Sequence, residues 1–155
     1  MRSILLLIFL LLAGSMTGIA QPGQTNAELA NQYFSSGEFE KAVVYFEKFY
    51  EQDAFNGYAG YLQCLLKIKD FDKAGKLIKK QQRKFPQDPS IKIDLGSLYE
   101  AEEQPEKAAK VYNDAIKNLP PDINQVNLLG NAFTRRQMSD YTVQTYLQGR
   151  KVLKG

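Results

Sequence analysis

The sequence predicts an all-α fold, a solenoid of antiparallel helix pairs. Three observations carry that prediction. First, Glu38-Phe39-Glu40-Lys41-Ala42 returns as Asp70-Phe71-Asp72-Lys73-Ala74 and again as Gln104-Pro105-Glu106-Lys107-Ala108, with the alanines 32 and then 34 residues apart. Self-similarity at such a period marks stacked structural repeats. Second, apolar and small residues recur at spacings of three and four, which places them on one face of a helix. Third, the punctuation fits helix pairs. Gly37 suits a left-handed helix end, and Pro105 suits a first helical turn, where a missing N–H costs nothing. Acids at Glu40, Asp72, Glu106 and Asp140 stand at the positive end of each second helix, and Pro86 and Pro120 close two of them.

The amino terminus is expected to lie outside this fold. Arg2 supplies a positive start, Ile4 to Ala13 are continuously apolar, and Gly18-Ile19-Ala20 places small residues where a signal peptidase reads. The pattern is that of a secretory signal, residues 1–20, cleaved before Gln21. The alternative is an uncleaved membrane anchor. It is disfavoured because the uncharged run from Ser3 to Ala20 is short of the ~20 residues a spanning helix needs, and Gly14, Ser15, Thr17 and Gly18 dilute it. The expected destination is a bacterial periplasm or the cell exterior, with residues 21–155 as one domain.

Within that domain the third unit sets the register, through Leu95-Gly96, Tyr99, Ala108, Tyr112 and Pro120. This order and spacing resembles the tetratricopeptide repeat. The first unit supplies Leu29-Ala30, Tyr33, Ala42 and Phe46. The second supplies Tyr61-Leu62, Leu65, Ala74, Ile78 and Pro86. The fourth supplies Leu129-Gly130, Phe133 and Tyr146, with Thr142 where alanine is expected. Lys92 is a further departure, since an aromatic normally precedes the Leu-Gly pair. The resemblance covers about residues 23–150 and implies a right-handed α-solenoid of about four units, at 23–54, 55–88, 89–122 and 123–155. The second unit is two residues short, and the shortfall is placed near Asp53 to Asn56.

Small residues (Ala30, Gly96 and Gly130 on first helices; Ala42, Ala74 and Ala108 on second helices) are expected to let helices approach closely. Tyr33, Tyr99 and Phe133 then fill the space between them. All of these are packing positions in a repeat stack, so the function has to be sought elsewhere.

The resemblance implies a concave groove, lined by the first helices, that takes a protein or peptide partner. In one subclass of the family a cluster of Lys, Arg and Asn clamps a peptide carboxylate. Here those places hold Ala27, Asn31, Gly60, Ser90 and Asp94; only Asn31 matches, and such a clamp is rejected. The ninth place of each unit instead reads Asn31, Gln63, Ser97 and Asn131. Amides offer both donors and acceptors to an extended peptide backbone, although an ordinary solvated helix face accounts for the same residues. Beside them, Phe34 and Leu66 stand as an apolar pocket for a partner side chain, or equally as packing between repeats.

Other features weigh less. Residues 67–84 carry net charge +6 and residues 28–53 carry −4. The basic stretch would suit an acidic partner or anionic lipid heads, and it also fits a solvated convex face. The whole chain is +3, too balanced for a nucleic-acid footprint. Histidine is absent and Cys64 is the sole cysteine, so no internal disulfide forms and the thiol is expected to be buried and inert. No catalytic, cofactor-binding or metal-ligating residue is nominated, and the chain is read as a non-enzyme. No extra helix follows the fourth unit, so its last helix is expected either to pair with another subunit or to be covered by a further domain.

Overall fold

A computed structural model describes residues 25–154. They form eight helices and no strand: α1 (Asn26–Ser35), α2 (Phe39–Gln52), α3 (Ala54–Lys67), α4 (Phe71–Lys84), α5 (Ser90–Ala101), α6 (Pro105–Lys117), α7 (Ile123–Arg135) and α8 (Ser139–Val152). Neighbours pack in antiparallel pairs, α1 with α2, α3 with α4, α5 with α6 and α7 with α8. The fold is a helical solenoid of four pairs. The proposed leader, residues 1–20, lies outside the described residues.

Local chemistry explains the starts. Thr25 and Glu28 cap α1 reciprocally: Thr25 Oγ1 accepts from Glu28 N–H at 3.2 Å and Glu28 Oε2 accepts from Thr25 N–H at 2.8 Å. Asp70 and Asp122 accept from Lys73 N–H and Asn124 N–H at the starts of α4 and α7. Pro105 opens α6.

The turns inside the pairs are identical in all four units. Gly37, Lys69, Glu103 and Gln137 each take positive φ, at 77°, 60°, 61° and 59°. In each, the next residue's N–H reaches back to the carbonyls of Tyr33, Leu65, Tyr99 and Phe133 at 2.8–3.1 Å. This is the Schellman ending, which satisfies carbonyls the helix leaves orphaned. Gly37 was legible from sequence; its three side-chain-bearing counterparts were not, because only glycine adopts this conformation without strain.

The connections between pairs differ. Residues 85–89 and 118–122 join the later pairs, whereas Asp53 alone joins α2 to α3. Its N–H bonds Phe49 O at 2.8 Å, and its carboxylate accepts from Phe55 and Asn56 N–H at 3.1 and 3.0 Å. One residue therefore ends one helix and caps the next, and the repeat shortens here as expected.

The interior splits into two apolar clusters. One joins α1 to α4 through Tyr33, Phe46, Tyr50, Tyr61 and Leu65, and extends to Ile91 and Leu98 of α5. The other joins α5 to α8 through Ile93, Tyr112, Leu129 and Phe133. Ala30, Ala42, Ala74 and Ala108 are all buried at helix crossings. Gly96 and Gly130 lie against the rings of Tyr112 and Tyr146, where a Cβ would come within 2.0 and 2.6 Å. Thr142 satisfies its hydroxyl on Met138 O at 3.1 Å, which lets it replace the expected alanine.

Charge alternates along the stack. Residues 25–54 hold six acids and two bases, 55–88 three acids and eight bases, 89–122 seven acids and four bases, and 123–154 one acid and five bases. The net signs run −4, +5, −3, +4. The ion pairs that join different helices each cross between units of opposite sign, Lys73 with Glu47 at 3.0 Å and Arg136 with Asp94.

Candidate functional site

A cleft of about 710 Å³ lies between the second and third helix pairs. One wall is α3, which presents Phe55, Ala59, Leu62 and Leu66 at spacings of four, three and four, an apolar stripe along the helix. The facing wall is α5, with Ser90, Asp94 and Ser97 at the same spacing. Arg135, Arg136 and Met138, at the end of α7 and the turn after it, complete the lining.

Asp94 organises this site. It sits on the otherwise apolar stripe Ile91, Leu95 and Leu98 and is only 6% exposed. A buried carboxylate needs partners, and it has two. Tyr58 Oη donates to Oδ2 at 2.9 Å, and the Arg136 guanidinium pairs with Oδ1. Arg136 is held in turn by a bond to Ala132 O at 3.1 Å. The three side chains come from α3, α5 and the C-cap of α7, so they tie three units together across the cleft. Burial pushes the Asp94 carboxyl above its usual range, while Arg136 and Tyr58 pull the other way. Burial and the neighbouring Asp94 charge likewise raise the Tyr58 phenol, which stays a neutral donor.

A second polar group waits in the same wall. Gln81 of α4 is 4% exposed; its Nε2 donates to Ala54 O at 3.3 Å, but its Oε1 is buried without a hydrogen-bond partner among the described residues.

Of the residues nominated from sequence, Gln63, Leu66 and Ser97 line this cleft. Phe34 does not: it packs edge-on against Phe39 and Phe46 within the first pair, with centroids at 5.5 and 6.3 Å. Asn31 is exposed and donates to Ala27 O at 2.8 Å. Asn131 is exposed and accepts from Tyr146 Oη at 3.4 Å. Sequence reading missed Tyr58, Arg136 and Gln81. A signal existed that some cation was needed, though not which one: an acid placed within Ile91, Leu95 and Leu98 implies a buried charge.

The basic run of α4 is partly spoken for inside the fold. Lys73 pairs with Glu47 and lies 5.6 Å from the Tyr61 ring, and Lys80 lies 5.1 Å from the Tyr50 ring. Lys76, Lys79, Arg83 and Lys84 remain exposed. Cys64 is fully buried, and burial lifts its thiol to about 11, which keeps it protonated and unreactive. Among the described residues no cluster of His, Cys, Asp or Glu is placed to hold a metal, and no helix is long and apolar enough to cross a membrane.

Residues 89–118, which span α5 and α6, match the family model of the tetratricopeptide repeat. No curated protein matches the chain.

Proposed function

From the premise that this chain carries a tetratricopeptide repeat within a stack of helix pairs, we propose that it is a non-catalytic adaptor of the bacterial cell envelope that grips a partner peptide in the cleft between α3 and α5. Tetratricopeptide repeats generally mediate protein–protein interaction. The observation that carries the finer reading is a cleft with one apolar and one polar wall. An extended peptide points alternate side chains to opposite sides and carries a donor at nearly every residue. Its apolar side chains would lie on Leu62 and Leu66, and its polar ones on Gln63 and Ser97. Asn31 and Asn131 would continue the contact on α1 and α7. Export rests on residues 1–20, with Gln21 as the mature amino terminus; sequencing the protein recovered from the periplasm or medium checks it, and a start at Met1 in a membrane pellet contradicts it.

Peptides selected from a random displayed library supply the probe for binding. Ala59 is exposed on the apolar wall, so Ala59→Arg should fill the cleft and weaken the selected peptides at least tenfold with the melting temperature unchanged. Asn31→Ala with Asn131→Ala should weaken them as well, by the ~1–3 kcal/mol that follows from each unsatisfied bound group. Binding that ignores Ala59→Arg but collapses with Lys76→Ala and Lys79→Ala would move the site to the basic face.

A further inference from the structure

Helix α8 carries apolar side chains on two faces. Its buried residues are Thr145 and Gly149, and Gly149 is there because Val126 of α7 occupies the space a Cβ would need, at 2.4 Å. The opposite face carries Val143 and Leu147, 57% and 46% exposed, with Tyr146 at its edge, 41% exposed and its ring over Gly130 of α7. At spacings of three and four Val143 and Leu147 share one stripe with Asp140 and Arg150, and Lys154 follows it in the turn after the helix; all three charged residues are exposed. A helix that packs Tyr141, Thr145 and Gly149 inward and leaves Val143 and Leu147 outward is shaped for two contacts, one of them outside this chain.

We infer that this face pairs with α8 of a second copy of the chain, antiparallel about a two-fold axis through Leu147. The charges fit that register. Asp140 and Lys154 stand seven residues on either side of Leu147, so the antiparallel pairing places each Asp140 opposite the partner copy's lysine, twice by symmetry. Val143 then meets the aliphatic stems of Arg150 and Lys151, and Tyr146 and Leu147 close the centre. Each helix's negative C-terminal end also lies beside its partner's positive N-terminal end. A head-to-tail arrangement fits less well. The open side of α1 shows Glu28, Asn31, Gln32 and Ser35, and Val44 is the one large exposed apolar side chain in the first pair. The fourth units are both net positive, which opposes the pairing and sets it in the weak, micromolar class of small interfaces.

Sedimentation of the protein purified as the cell makes it, across the micromolar range, tests this. A monomer–dimer equilibrium is expected. Leu147→Glu should weaken it at least tenfold, with helix content and melting unchanged because the residue is exposed. Asp140→Lys and Lys154→Asp should each weaken it by about fivefold, and the two together should restore it, since the swap rebuilds both contacts. Lys79→Ala should leave it unchanged. A protein that stays monomeric at the highest concentration overturns the inference. So does a dimer indifferent to Leu147→Glu, a charge swap that fails to restore, or open-ended assembly beyond the dimer.

Discussion

The junction between the first two helix pairs and the junction between the second and third solve the same problem in opposite ways. At the first, Asp53 alone links the helices, and Gly57 and Gly60 press α3 onto α2. A Cβ on Gly57 would lie 2.7 Å from Tyr50 N and 2.8 Å from Tyr50 Cα, and one on Gly60 would meet the Phe46 ring at 2.3 Å. The opening on this side, about 220 Å³ between α2 and α4, is less than a third of the cleft between α3 and α5. At the second, five residues link α4 to α5, and Gly75 has only Leu98 nearby, at an ordinary 3.6 Å. The first apolar cluster still reaches Ile91 and Leu98 of α5, but a cleft opens beside it, and Tyr58, Asp94 and Arg136 span the gap. A solenoid's stability is roughly a sum of units and nearest-neighbour interfaces. It can therefore keep one interface loose for binding while its neighbours hold the fold.

Breaking the tight junction should have the largest effect. Gly57→Ala sets a methyl against backbone that has nowhere to go, so the cost should reach ~3 kcal/mol, at the upper end for overpacking. Thermal melting reads it as a drop of many degrees; a loss below 1 kcal/mol would mean the two helices are less closely seated. Arg136→Met comes next. It strands Asp94 at the open junction and should cost ~2 kcal/mol, less than for a fully buried pair because the Arg136 side chain is 32% exposed.

That cost should depend on pH in a definite direction. With its cation gone, Asp94 titrates higher still in the folded state than in the unfolded chain. The folded state then holds the extra proton, and stability falls as pH rises through the folded pKa. The deficit of Arg136→Met should therefore be greatest near neutral pH and shrink on acidification. Denaturant melts at several pH values check it, and a deficit that grows in acid would contradict it.

The smallest effects belong to the turns inside the pairs, away from both junctions, and to the surface. Glu103→Gly and Gln137→Gly relieve left-handed side-chain-bearing residues and should stabilise by ~0.5 kcal/mol each, the strain relieved less the glycine entropy. Glu47→Gln removes a half-exposed ion pair with Lys73 and should cost under ~1 kcal/mol, with the difference vanishing in high salt.

Much of this was readable in the chain. The pentads around Ala42, Ala74 and Ala108 announced the repeat, and the shortened second unit pointed to Asp53. The register was legible because helix packing demands small and aromatic residues at fixed intervals. The site was only half legible. Gln63, Leu66 and Ser97 were found because the repeat aims them together, but the same logic picked Phe34, which the first pair claims for its own core. Tyr58 and Arg136 escaped because they lie 36 and 42 residues from Asp94, and a spacing pattern carries no information about which distant side chain a buried acid recruits. Gly57 escaped for a similar reason: its neighbour is backbone, which has no letter in the sequence.

Hydrogen exchange, read segment by segment with and without a library-selected peptide, bears most directly on the contrast between the two junctions. If the open junction is the binding site, the peptide should slow exchange in α3, α5 and the end of α7, while the α2–α3 junction around Asp53 and Gly57, already protected in the free protein, should not change. Protection confined to α1, α2 or α8, or a free protein whose α2–α3 junction exchanges as fast as α4–α5, would contradict it.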